Sequence, residues 1–381
     1  MGSHAITFPI NKVVGTLFVR KKTGETEVLG KAQGIILIPD NSYLGISEIT
    51  DLAYFANLST EDLQEIDLRD SNASDEQLVY IRHLIGLRRL NLSGNKISND
   101  GLMHVSNLNY LEDLDLSRTN ISSLGLKCIK SLSKIERLNL SWTKIDEKSF
   151  KYIQDFTSLK KLELKYTEIN NSRLAILQNL TNLEELDISG NKNLNHIGIK
   201  SISNLVKMQN LGLSYIRMSK DELNCLLSFR SLKSLFLQGT QIKDTSLKYL
   251  CSFPSLSTLF IGDNYITDRG MITLKKKISL ASLDLGMTYI SDLGIKPISE
   301  MQTLKNVGLW ETEIGDEALV SLKQLKVLQK LDLSNTRVTT CGLHHLGEMS
   351  SLRLLRMVGI KAEKQDLLGL RQALPDCCIL I

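Results

Sequence analysis

The stretch Leu111–Lys134, LEDLDLSRTNISSLGLKCIKSLSK, decides how the rest of the chain is read. Its form is L-x-x-L-x-L-x-x-T-x-I, then a short polar turn, then L-x-x-I-x-x-L. The opening LEDLDLS alternates apolar and polar residues, the period of a strand, so Leu114 and Leu116 face inward while Asp113, Asp115 and Ser117 face solvent. GLKCIKSL changes to helical spacing, with Leu126, Ile129 and Leu132 on one stripe. The unit recurs from anchors at Leu63, Leu87, Leu111, Ile135, Leu159, Leu183, Met208, Leu232, Leu256, Leu280, Leu304, Leu328 and Leu352. Successive anchors lie 24 residues apart, apart from one step of 25 at Asn193. A period of this length predicts a solenoid, because no single strand and short helix can bury so much leucine alone.

This pattern resembles the leucine-rich-repeat superfamily over roughly five-sixths of the chain. The implied fold is α/β: a curved horseshoe with parallel strands on the concave face and short helices on the convex one. The T-x-I-x-D-x-G-L turn is similar to that of bacterial GALA-type repeats and of repeats in eukaryotic F-box substrate receptors. Those families imply the substrate-recognition arm of a ubiquitin ligase. The sequence departs from them in lacking F-box helices in residues 1–62 and a following ligase domain with a catalytic cysteine.

Three regions are expected: an N-terminal β-rich cap with one degenerate repeat (1–62), thirteen repeats (63–375) and a C-terminal half-repeat strand (376–381). Within the first, Gly15–Pro39 reads as strand, turn, strand. SEITDLAYFANLSTEDL overlays the second half of a unit, with Ile49 at the usual isoleucine position and Thr50–Asp51 opening a helix. At the other end, DCCILI places Ile379 and Ile381 at the two inward positions of one further strand. Thr or Asn occupies the ninth position of most units, and bonds to neighbouring backbone explain that choice better than a ligand track does.

The formal charge of +4, from 46 Lys and Arg against 42 Asp and Glu, gives no broad electrostatic support for nucleic-acid binding. No apolar run approaches the roughly 20 residues that span a bilayer, so membrane insertion is not expected. The six cysteines Cys128, Cys225, Cys251, Cys341, Cys377 and Cys378 read as free thiols, which favours a cytoplasmic setting. The opening MGSH reads as a cloning remnant behind which a signal peptide could have been removed, so secretion or an effector role stays open. His83, His104, His196, His344 and His345 fall on different repeats with no metal-ligand spacing. No phosphate loop or nucleophile elbow is present, so no enzyme activity, cofactor or metal is expected, and the chain is expected to be a monomer.

Function is therefore sought on the outward strand positions. Position three reads Glu65, Arg89, Asp113, Arg137, Lys161 and Glu185, largely alternating in sign, then turns neutral from Asn210 to Asn306. At Gly212 the face changes from charge to small residues and rings. Two clusters stand out: Arg118, Trp142 and Tyr166, and Tyr215, Phe236, Phe260, Met287 and Trp310 among Gly239, Gly262 and Gly286. Rings with small neighbours and arginine at hand have the composition of binding hot spots. The expectation is a recognition scaffold for a protein or peptide, with Trp310 open and its largest contributor. The alternatives are a ligase substrate receptor and a carbohydrate or small-ligand binder.

Overall fold

The computed structural model describes residues 4–21, 23–39, 42–218, 222–277 and 279–381. The opening Met1–Ser3, Lys22 of the expected N-terminal turn, and Asp40 and Asn41 lie outside them. The chain divides into two compact units, Met1–Leu186 and Asp187–Ile381.

In the first unit, three-residue strands begin at Glu65, Arg89, Asp113 and Arg137 and pair parallel with their successors without slippage. In the second, the strands from Asn210–Gly212 to Leu354–Arg356 stack in the same register. Residues two apart on each strand face the same way, so the period of 24 carries every column of side chains straight across the sheet. Inward leucines such as Leu114, Leu164, Leu235 and Leu285 are wholly buried. Short α- or 3₁₀-helices return the chain on the other side, for example Ser123–Ile129 and Asp268–Leu274.

The ninth-position residues are structural. Thr119 donates to the Leu116 carbonyl at 2.5 Å, and Thr240 to Leu237 at 2.7 Å. Asn264 reaches further, donating to Leu237 of the preceding repeat at 2.8 Å and to its own Ile261 at 2.9 Å. The D-x-G-L part of the turn acts between repeats as well. Asp268 accepts from the backbone and hydroxyl of Ser291, the residue capping the next helix, at 2.8 and 2.7 Å. Asp75, Asp244 and Asp316 do the same for Ser98, Thr267 and Thr339. The glycine of the next repeat makes room, since a Cβ at Gly294 would come within 2.5 Å of the Asp268 carboxylate.

Ahead of the array, Thr16–Lys21 pairs antiparallel with both Thr26–Lys31 and Ser42–Ser47. The expected second strand is divided: Ile35–Ile38 leaves the hairpin after Gly34, at φ 71°, and pairs with His4–Thr7. The degenerate repeat also has a strand of its own that its sequence did not reveal. Ser42–Ser47 lies parallel to Glu65–Asp67, with Leu44 and Ile46 buried. Asp51 accepts from Ala53 N–H at 3.1 Å and opens a 3₁₀-helix, Leu52–Asn57.

At the C-terminal end Cys378–Leu380 pairs parallel with Leu354–Arg356, placing Ile379 beside Leu355. Ile381 departs from expectation. It is 51% exposed rather than buried. No disulfide joins any of the six cysteines.

Candidate functional site

Each repeat ends its strand with the same backbone feature. The eighth residue has positive φ in all thirteen units, from Asp70 and Gly94 through Trp142, at 61°, and Tyr215, at 62°, to Gly359. Glycine, Asn and Asp tolerate this left-handed region, whereas a bulky side chain there costs on the order of 1–2 kcal/mol. Several units nevertheless hold large groups at this position. Arg118, Trp142, Tyr166, Tyr215 and Met287 all sit there, and Trp142, Tyr166, Tyr215 and Met287 expose 49%, 37%, 42% and 42% of their surface.

In the first unit, Arg118, Trp142 and Tyr166 come together as the column spacing requires. Trp142 stacks on Tyr166 with centroids 4.0 Å apart and planes 20° off parallel, and the Arg118 guanidinium lies 5.9 Å from the Trp142 ring. Beside them runs a ladder of ion pairs. Arg20 grips Glu65 through two nitrogens at 2.7 and 2.8 Å, and Arg89 reaches Glu65 at 3.3 Å and Asp113 at 3.9 Å. Arg137 holds Asp113 at 2.8 Å, while Lys161 holds Glu163 at 2.7 Å and Glu185 at 3.7 Å. Burial works against the charge of Arg137 and Lys161, yet their bonds to Asp113 and Glu163 leave both bases more strongly protonated than usual. The ladder borders a polar hollow of about 410 Å³, and its carboxylates are committed to their neighbours.

The second unit has a different face. Phe236 and Phe260 meet edge to face, 5.1 Å apart at 83°. Tyr215 lies over Gly239, where a Cβ would fall 2.5 Å from its ring. Met287 is in the same column three strands on, about 14 Å away at the usual strand spacing. The cluster is thus two rows, a phenylalanine pair at position five and separate large groups at position eight.

Trp310 does not stand open as expected. Its indole lies against Gly286, where a Cβ would come within 2.2 Å of the ring, and Nε1 points to Asp284 Oδ2 at 3.4 Å. The small neighbour lets the ring lie down onto the sheet, leaving it half-buried.

Two features escaped the sequence reading. Asp284 sits among Gly262, Gly286 and Gly308, accepting from Gly286 N–H at 2.9 Å. Burial pushes its carboxyl above the ordinary range, and the bonds from Gly286 and Trp310 only partly oppose this. Tyr265 and Tyr289, at position ten of adjacent repeats, are exposed and nearly parallel, 6.4 Å apart, with Lys243 5.8 Å from the Tyr265 ring. Writing out the position-ten column would have found that pair.

Among the described residues, no group of three or more His, Cys, Asp or Glu could hold a metal ion, and no helix is long and apolar enough to cross a membrane.

The family profile for leucine-rich repeat regions matches residues 44–310. Among solved structures the chain is similar to an internalin, InlF, from Listeria monocytogenes, with 24% identity and a TM-score of 0.55 over 80% of this chain and 88% of that one. It is also similar to the Leptospira interrogans leucine-rich-repeat protein LIC12759, with 18% identity and a TM-score of 0.51 over 87% of this chain and 98% of that one. No curated protein matches the sequence.

Proposed function

This chain belongs to the leucine-rich-repeat family, and on that premise we propose that it is a non-enzymatic recognition scaffold whose second unit docks a protein or peptide across its exposed sheet face. The observation that carries this reading is the large side chain at a left-handed position. Tyr215 and Met287 stand where Gly, Asn or Asp would fold at less cost, and both remain exposed. Local strain combined with unburied apolar surface contributes little to the solenoid and suits contact with something else. Phe236, Phe260 and Trp310 add rings held in fixed orientations, so little side-chain entropy would be lost on docking. Arg118, Trp142 and Tyr166 form a second, smaller contact on the first unit, where the ring stack already satisfies part of its own surface.

The test is a displayed random-peptide selection on the intact chain, followed by affinity measurements on a Phe236→Ser/Phe260→Ser variant. The selected peptides should bind the variant at least tenfold more weakly. Undiminished binding would contradict docking on this face.

A further inference from the structure

Asp284 is unlike the carboxylates of the first unit's ladder. There Glu65, Asp113, Glu163 and Glu185 each have a basic partner within 4 Å. On the second unit, Asp332 has Arg356 at 3.8 Å. Asp284 has none: among the described residues, only a backbone N–H and an indole N–H approach it. Taking a carboxylate out of water without a counter-charge is costly, and such a group is ordinarily paired.

Its surroundings leave space for a cation. Cβ atoms at Gly262 and Gly308 would lie 3.0 and 2.8 Å from the Asp284 oxygens, so glycine keeps the approach clear on both neighbouring strands. Asp284 borders a hollow of about 270 Å³ whose one aromatic wall is Phe260, while Trp310 donates to the carboxylate from outside that lining. Each carboxylate oxygen accepts one bond from the protein and keeps acceptor capacity for another. A planar cation that can bond to a carboxylate and lie against an aromatic face satisfies both surfaces, and guanidinium has that shape.

We infer that the hollow beside Asp284 receives an arginine side chain of the docked partner, its guanidinium bonded to Asp284 and stacked against Phe260. This rests on the proposed docking face and names the chemistry of its occupant. Lys330 and Arg356 border the hollow and oppose a second cation, while Asp332 favours it. Arg356 is engaged with Asp332, which reduces its opposition.

The test uses N-acetyl-arginine amide and its neutral isostere N-acetyl-citrulline amide, followed through the Trp310 indole N–H resonance. Trp142 carries the only other indole and serves as an internal control. Arginine amide should shift the Trp310 signal saturably, while citrulline amide should bind at least tenfold more weakly. An Asp284→Asn variant should lose the same tenfold. Equal responses to the two amides, which need no variant, would overturn the inference, as would undiminished binding to Asp284→Asn. Selected peptides that require Phe236 and Phe260 but tolerate Asp284→Asn would also overturn it, while leaving the docking face in place.

Discussion

The sheet faces of the two units are made from the same three-residue strands in the same register, and they use their outward positions differently. On the first, charges of opposite sign alternate from Arg20 through Glu65, Arg89 and Asp113 to Arg137, so each is answered by a neighbour. On the second, position three is neutral from Asn210 to Asn306 before Lys330, position five carries Phe236, Phe260 and Asp284 between Gly212 and Gly308, and among the described residues Asp284 has no cation within 4 Å. A solenoid core fixes the inward columns and leaves the outward ones free to specialise. A face that satisfies itself offers a partner little, whereas one that leaves rings, bare backbone and charge unmet offers more.

If the two units differ in their faces alone, their cores must behave alike. Leu164→Ala in the first unit and Leu285→Ala in the second each remove a wholly buried strand leucine and should each cost about 2–5 kcal/mol in denaturant titrations. A cost below about 1 kcal/mol in one unit would break the premise that both share one packing scheme.

The second unit does have one core irregularity. Lys277 stands where the other repeats place Phe229, Phe253, Met301 or Leu325, and it is only 6% exposed. Its ammonium donates to the carbonyl of Phe253 and to that of Pro254, 3.4 Å away. Burial lowers its pKa from the usual 10.5, so the folded state holds that proton less firmly than the unfolded state does. The resulting penalty is present at neutral pH and is relieved as pH rises toward 10.5. Lys277→Leu should therefore stabilise the protein by about 1–2 kcal/mol at pH 7, with a smaller gain at pH 10. A gain that did not shrink with pH would show that packing alone is responsible.

The faces should also respond oppositely to loss of charge. Arg89→Ala should cost about 1 kcal/mol at low salt, and most of that cost should vanish in 1 M salt. Asp284→Asn should hold or raise stability at pH 7. Its carboxyl titrates higher in the folded state, so its contribution is favourable at low pH and is lost as pH rises through the folded pKa. The wild type should accordingly gain on this variant as pH falls toward 4. A destabilised Asp284→Asn at pH 7 would mean the bonds from Gly286 and Trp310 outweigh the cost of burying the charge.

The inward columns were legible because leucine spacing alone determines them, and that spacing gave the strands, the helices and the ninth-position Thr and Asn. Ser42–Ser47 was not legible, since Gly45 pairs with Glu65 twenty positions on, outside the period of 24. The columns containing Trp142 and Tyr215 could be read, but not the positive φ that makes them costly. The posture of Trp310 depends on the gap at Gly286, which a list of outward residues does not convey. Asp284 looked like Glu163 at the same position, but Glu163 has Lys161 beside it and Asp284 has only an indole and a backbone N–H among the described residues. Lys277 would have emerged from aligning the helix-side column, where every neighbour is apolar.

The most direct test of the contrast is the affinity of one selected peptide for two matched variants, Trp310→Ala and Trp142→Ala. Trp310→Ala should lose about 30-fold in affinity, roughly 2 kcal/mol, and Trp142→Ala less than about threefold. A loss confined to Trp142→Ala, or equal small effects from both, would contradict the assignment of the docking face to the second unit.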